Sequence, residues 1–256
     1  MVEGPVVAID PWETPGGLTA PSAIAPAAIV PRRLQTLIAI CFEWATMYES
    51  RIAESQSVGS ETIALSISAP ESFDAQPGQF VLIRAEIDGE EETGYYTISS
   101  PEVADAFEIT VEVDPDGTLG PWLADRSAGE TLAFDGPFGD VEYTGGDDAI
   151  VLAAGPGIGP AVGIAERALQ EDREVELRYK GDSVPHRDRI DAVADAGGTV
   201  TIGDSVPDVT AGIGTAAAEG TVYVFGFAGF VDAVTDELED AGVSPADAEI
   251  ESFGPA

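Results

Sequence analysis

A chain of 256 residues, 44% of them hydrophobic, is long enough to bury one large core or two modest ones without disulfides or a structural metal, and two domains are the expected arrangement. It carries 47 acidic residues against 11 basic ones, a net charge of −36, with Lys180 the only lysine; that sign disfavours binding to a nucleic-acid backbone. One cysteine, Cys41, cannot make a four-thiolate iron–sulfur cluster, and with a single histidine, His186, no metal site is expected.

The acids are spread through segments that are also rich in Val, Ile, Leu and Gly, which excludes an acidic disordered tail. In concentrated salt the Debye length falls to about 3 Å or less, so self-repulsion is screened while hydrated carboxylates keep the surface soluble. The composition therefore reads as that of a halophile's cytoplasmic protein. No window is apolar for long enough to span a bilayer, and no membrane partner is expected.

Residues 1–46 are Pro/Ala-rich and hold four acids and two bases, a net of −2, whereas residues 47–256 hold 43 acids and nine bases, a net of −34. Met47 stands where the composition changes, so residues 1–46 are read as a disordered or non-native leader. An alternative takes Arg32-Arg33 before Leu34–Phe42 as a twin-arginine export signal, but the apolar run is short, Glu43 interrupts it and no small-residue cleavage site follows.

From 47 to 146 the pattern is short and alternating. Thr62–Ser68, Phe80–Ala85, Tyr95–Ser99 and Phe107–Val113 read as strands, separated by Gln76-Pro77-Gly78, Asp88-Gly89 and Asp114-Pro115-Asp116-Gly117. Strands this close leave no room for crossover helices, so they pair antiparallel in a closed or nearly closed β-barrel. From 147 to 256 the rhythm becomes strand, loop, helix. Strands are expected at Ala149–Ala154, Glu174–Tyr179, Thr199–Ile202, Thr221–Phe225 and Asp247–Glu251, and helices from Pro160 to about Glu171, near 187–195 and near 229–241. This alternation predicts an α/β domain with a parallel sheet.

The loop Gly155-Pro156-Gly157-Ile158-Gly159-Pro160 follows a buried strand and opens a helix, where glycines let backbone amides approach a pyrophosphate. The spacing is not the standard GxGxxG, and glycines there also serve packing. Five of the eleven bases, Arg173, Arg178, Lys180, Arg187 and Arg189, fall within 17 positions. They read either as contacts to an anionic ligand, such as the 2′-phosphate of NADPH through Lys180, Arg187 and Arg189, or as partners of Asp182, Asp188 and Asp191. In Gly94-Tyr95-Tyr96-Thr97-Ile98-Ser99-Ser100-Pro101, a strand would turn Tyr96 and Ile98 one way and Tyr95, Thr97 and Ser99 the other. Such a strand can meet a flat ring, or it can be an amphipathic strand with tyrosines at its rim.

In chain order, GYYTISSP, Gly117–Leu123, Gly136-Pro137-Phe138-Gly139, Gly155–Pro160 and Glu251-Ser252-Phe253-Gly254 resemble the motif set of the ferredoxin-NADP reductase-like flavoprotein family, over about residues 47–254. The resemblance implies that the barrel holds FAD and the α/β domain holds NAD(P)H. It implies that Tyr96 packs on the flavin, Thr97 bonds near its N5, and Phe253 lies close to the ring, these three being the residues at the chemistry. Tyr95, Ile98, Ser99, Gly117, Thr118, Leu119, Gly120 and Gly136 would complete the FAD site. Gly155, Pro156, Gly157, Ile158, Gly159, Pro160 and Gly226 would face the nicotinamide nucleotide.

Three positions depart from that pattern. Gly94 stands where the family has arginine, Gly120 where it often has a hydroxyl, and Phe225-Gly226-Phe227 where it has Cys-Gly-Pro. Each lost charge-assisted contact to the pyrophosphate is worth about 1.5–3 kcal/mol. The implied function is an NAD(P)H-dependent reductase passing electrons through FAD to a separate acceptor, a ferredoxin or an oxidoreductase subunit. Alternatives are an electron-transfer subunit of a larger oxidoreductase, or a degenerate module that keeps the fold for a regulatory or scaffolding role.

Overall fold

The computed structural model describes residues 47–255, all within one compact unit. The leader expected over 1–46, its export alternative and Cys41 lie outside the described residues. Six strands, β1 (Tyr48–Gly59), β2 (Thr62–Ser68), β3 (Phe80–Ile87), β4 (Glu90–Thr97), β5 (Ala106–Glu112) and β6 (Thr131–Phe138), pair antiparallel in the order β4-β3-β6-β1-β2-β5. An Ile98–Ile109 bridge and a 2.8 Å bond from the Ser99 N–H to Glu108 O join the two edge strands into a barrel. A short helix, α1 (Leu119–Ala124), lies beyond β5, within the stretch expected to form the phosphate turn.

Alternation explains this half. On β5, Phe107, Ile109 and Val111 enter the core, while Glu108, Thr110 and Glu112 form an outward row. The Asp88-Gly89 turn has φ of 54° and 86° at its two residues, the left-handed pair that a two-residue hairpin between β3 and β4 requires. Two strands carry no such signal. On β1 only Ile52 is buried, and β6 contains Asp135-Gly136-Pro137, with the buried Asp135 paired to Arg84 at 2.6 Å.

Five strands, β7 (Ala149–Ala154), β8 (Val175–Lys180), β9 (Thr199–Gly203), β10 (Thr221–Gly226) and β11 (Glu249–Ser252), form a parallel sheet in the order β11-β10-β7-β8-β9. Both faces are covered, which is why Ala149–Ala154 reads as a continuous apolar run. Val151 and Ala153 pack on one side with Ile158, Val162 and Ala165 of α2 (Ile158–Gln170) and Ile190 and Val193 of α3 (Arg187–Asp195). Ile150 and Leu152 pack on the other with Val209 of α4 (Val206–Thr210), Ile213 of α5 (Ile213–Ala216) and Val234 and Leu238 of α6 (Ala228–Asp240). Among the described residues no helix is long and apolar enough to cross a membrane.

Candidate functional site

The GYYTISS segment divides as strand geometry requires. Ile98 is fully buried in the barrel core and Tyr96 packs half-buried against it, while Tyr95, Thr97 and Ser99 turn outward. Tyr95 is 69% exposed, and its ring meets Phe80 edge-on at 5.4 Å. Burial pushes the Tyr96 phenol up to about 12, so it presents a neutral ring at neutral pH.

β4 is an edge strand, and beyond the Ile98–Ile109 bridge it parts from β5. The Ile98 N–H is donated to Gln79 O and the Ser99 N–H to Glu108 O, at 2.8 Å each. Successive amides of a strand alternate, so the Thr97 and Tyr95 N–H groups point to the same side as that of Ser99, into the gap between β4 and β5. These amides are the donors that a flat ring with a polar edge could use. Ile98 and Ser99, expected in the same role, are already engaged: the Ile98 side chain is core, and the Ser99 hydroxyl bonds Thr110 Oγ1 at 2.7 Å.

Gly94 lies beneath this gap. A Cβ there would sit 2.8 Å from Leu119 Cδ2 and 3.0 Å from Tyr96 Cε2, so the space a side chain would use is filled by the tips of two movable side chains. At Gly120 the nearest atom would be Glu112 O at 3.4 Å, an ordinary contact, and only the hydroxyl is missing. The adjoining turn closes on its own aspartate: the Gly117 N–H reaches Asp114 O at 3.1 Å and the Asp116 N–H reaches Asp114 Oδ1 at 2.9 Å. Gly117 and Thr118 are exposed, and residues 112–124 include Glu112, Asp114, Asp116 and no base. The backbone and aromatic donors thus fit a flavin ring, while the side chains around the turn do not favour its pyrophosphate. Leu119 is buried, and Gly136 lies under β3 with its virtual Cβ 3.2 Å from Phe80 O, so neither offers a side-chain surface to a ligand.

In the parallel sheet the strand order reverses between β7 and β10, and the crevice at the C-terminal ends of such a pair is the usual ligand position. Here those ends carry Gly155 and Gly226-Phe227. A Cβ on Gly155, whose φ is +56°, would lie 3.2 Å from Glu112 Oε2 and 3.7 Å from Phe227 Cε2. The crevice therefore adjoins the barrel strand that borders the gap beside Tyr95 and Thr97. Phe227 and Phe253, edge to face at 6.1 Å and both half-buried, form its other side.

The rest of the glycine loop is engaged with protein. A Cβ on Gly157 would run into Phe225 O, and one on Gly159 into the Ser99 and Thr110 hydroxyls, while Ile158 and Pro160 are buried. This loop keeps Gly155 facing the crevice and uses Gly157 and Gly159 for close packing. The basic cluster is also redistributed. Arg187 pairs with Asp191 at 3.0 Å, as the pairing alternative held, and Arg178 pairs with Glu176. Arg189 binds Glu108 and Glu166 at 2.7 Å, away from the crevice. Lys180, half-buried at the end of β8, makes no ion pair among the described residues.

Two acids, Glu112 and Glu251, stand near the crevice, with Lys180 in register with Ala154 beside it. Glu112 is exposed as a residue, yet partial desolvation of its carboxyl, then Glu61 and Asp114, push it up. Burial, with Asp140 adding a like charge, lifts Glu251 to about 7. An open hollow of about 370 Å³, ringed by Asp148, Asp172, Glu174 and Glu219 with Arg173, lies at the N-terminal ends of the parallel strands, the opposite end from the crevice. A second of about 290 Å³ lies by Glu61 and Pro115 on the barrel. Glu112 was not among the residues expected at the site, although the outward row Glu108, Thr110, Glu112 carried the signal; Phe227 was expected only as a departure beside Gly226.

Residues 49–143 match the family model of the oxidoreductase FAD-binding domain. Among curated relatives, the glycine betaine monooxygenase reductase subunit of Chromohalobacter salexigens is 34% identical over 134 residues, covering 50% of this chain and 36% of that protein. A flavohemoprotein of Pseudomonas putida is 27% identical over 237 residues, covering 83% of this chain and 60% of that one. The chain thus matches 36% and 60% of the length of these two relatives, less than two thirds of either. The FAD/NAD-binding domain of a nitric oxide dioxygenase from Vibrio cholerae superposes with a TM-score of 0.69 at 20% identity, covering 81% of this chain and 98% of that domain, a likeness of fold.

Proposed function

We propose that the chain is an NAD(P)H-dependent flavoprotein reductase that serves a separate electron acceptor, a ferredoxin or an oxygenase component. The observation that carries this is the meeting of two openings: the crevice at Gly155 and Phe227 reaches Glu112 of β5, which borders the open edge of β4 at Tyr95 and Thr97. FAD, when bound, supplies the exchange between a two-electron donor and a one-electron acceptor. The chain's own residues hold two rings in contact and keep water out. Tyr96 offers its neutral face, the Thr97 amide and hydroxyl offer donors to a ring edge, and Phe253 with Phe227 closes the far side. Lys180 is the remaining base for a 2′-phosphate. The match of residues 49–143 to an FAD-binding domain supports the cofactor, and the reductase subunits among its relatives support an acceptor on another protein. The acidity of the whole chain supports function in concentrated salt.

The test is a visible spectrum of protein purified in multi-molar salt with FAD added. A yellow chromophore bleached anaerobically by NADPH or NADH is expected. A second reading, a degenerate module that keeps the fold, draws on the filled space at Gly94 and the acidic turn at Asp114–Asp116. Protein that stays colourless and takes up no FAD would favour it.

A further inference from the structure

The two sheets are joined by a cluster that the crevice does not use. Arg189, on the first turn of α3, spends its whole guanidinium there. Nε and Nη2 grip Glu166 of α2 at 2.8 and 2.7 Å, Nη1 reaches Glu108 of β5 at 2.7 Å, and Nη2 reaches the Ser99 carbonyl at 2.7 Å. Glu166 belongs to the same half as Arg189 and holds the planar fork in place; Glu108 and Ser99 belong to the barrel. Three residues earlier, His186 is buried in the left-handed conformation, with φ of 55°, which is uncommon outside glycine and for which His is one of the better-suited side chains. Its N–H is donated to Val58 O of β1 at 2.9 Å, and its Nε2 lies 2.8 Å from Thr110 Oγ1, which in turn lies 2.7 Å from Ser99 Oγ.

Helix α2 comes close enough to complete the joint. Gly159 faces Ser99 and Thr110, and a Cβ on Gly163 would be 2.7 Å from Ser99 O. The hydrogen bonds of Arg189 and His186 across the joint end on Ser99, on the outward row of β5 and near the end of β1, and Arg167 of α2 adds a 3.7 Å ion pair to Glu102. Ser99 stands two residues from Thr97 on the same face, about 7 Å along the strand. Most of these groups are buried or mutually bonded, so they are little screened by salt, unlike the exposed ion pairs of the surface.

We propose that Arg189, working through Glu108 and Ser99, is a positioning residue that fixes the crevice of the parallel sheet in register with Thr97. The inference rests on the reductase reading, because register matters only if two rings must meet. Small misplacements of reacting groups can cost up to about a hundredfold in rate.

The experiment compares wild type with Arg189→Met, Arg189→Lys and Glu108→Gln in multi-molar salt. Glu108→Gln keeps Arg189 and Glu166 intact and weakens only the barrel side, so it guards against a variant that fails to fold. FAD affinity is read by flavin fluorescence, reduction of bound flavin by NADPH or NADH by stopped flow, and coupling of the two halves by calorimetry and amide exchange. The expected result for Arg189→Met is FAD affinity within about twofold of wild type, reduction slowed roughly tenfold or more, faster exchange over 97–110 and 185–190, and a split unfolding transition. Arg189→Lys recovers part of the rate. An unchanged reduction rate per bound flavin, or a single transition with unchanged exchange in both Arg189→Met and Glu108→Gln, overturns the proposal. A wild type that takes up no FAD defeats the reductase reading instead, and that outcome is read before any variant is made.

Discussion

A Cβ built on Gly94 meets the tip of Leu119 and the ring of Tyr96, whereas one on Gly157 runs into the carbonyl oxygen of Phe225 and one on Gly159 into two buried hydroxyls. All three glycines sit in motifs of the same resemblance, yet they do different work. At Gly94 the space a side chain would take is held by atoms that can move aside. At Gly157 and Gly159 the missing side chain is what lets one part of the protein touch another. The barrel segment thus fills the place of a side chain at Gly94 while leaving the edge of β4 open, and the glycine loop leaves a crevice only at Gly155.

The contrast is sharpest where substitution forces backbone against backbone. Gly157→Ala should destabilise the chain by about 3 kcal/mol, the upper end for overpacking, because Phe225 O belongs to a central strand and cannot turn away. Denaturant unfolding in concentrated salt measures this. Gly94→Arg should act in the opposite sense on function. It displaces only Leu119 and Tyr96 atoms and adds a charge-assisted contact of about 1.5–3 kcal/mol, so FAD affinity should rise about tenfold or more. Titration by flavin fluorescence reads it, and unchanged affinity would mean that the pyrophosphate lies elsewhere.

A smaller effect separates the acidic turn from a site built on arginine. With Asp114 and Asp116 beside the turn proposed for the phosphates and no base in residues 112–124, salt should tighten FAD binding several-fold between about 0.1 M and 1 M as the Debye length falls from about 10 to 3 Å. Gly94→Arg should flatten that slope. Weakening with salt in the wild type would refute the electrostatic picture.

The smallest effects are those of pH on stability, and His186 of the joint and Glu251 beside the crevice oppose each other. Burial, then the nearby Arg189 charge, lowers His186 from 6.5 to about 3; its contribution is full above pH 6.5 and is lost as pH falls toward 3. Glu251 is raised from 4.5 to about 7, so its contribution is full below pH 4.5 and is lost as pH rises through 7. Melting temperatures of Glu251→Gln should therefore gain on wild type between pH 4.5 and 7, and those of His186→Asn should gain on wild type as pH falls below 6.5.

Much of the fold was legible because burial on one or two faces leaves a period in the sequence. The alternation of β2, β3 and β5, the apolar run of β7 and the Asp88-Gly89 turn all follow from that rule. β1 was illegible because a strand that buries only Ile52 carries no period, and β6 because Asp135-Gly136-Pro137 resembles a loop. At the site, the facing of Tyr95, Tyr96 and Thr97 could be read from alternation alone. The use of each glycine could not, since a glycine for a ligand and a glycine for a neighbouring strand are written alike. Nor could the partners of Arg189, because Glu108 stands 81 positions away and is joined to it only by tertiary packing.

Amide exchange at Tyr95 and Thr97 is the most direct test of whether a flavin ring occupies the gap between β4 and β5. Saturating FAD should slow exchange at Thr97, whose N–H otherwise points into that gap, and should leave the strand-paired amide of Ile98 unchanged. FAD that binds, by its fluorescence, without slowing Thr97 would contradict the placement, and no binding at all would contradict the function.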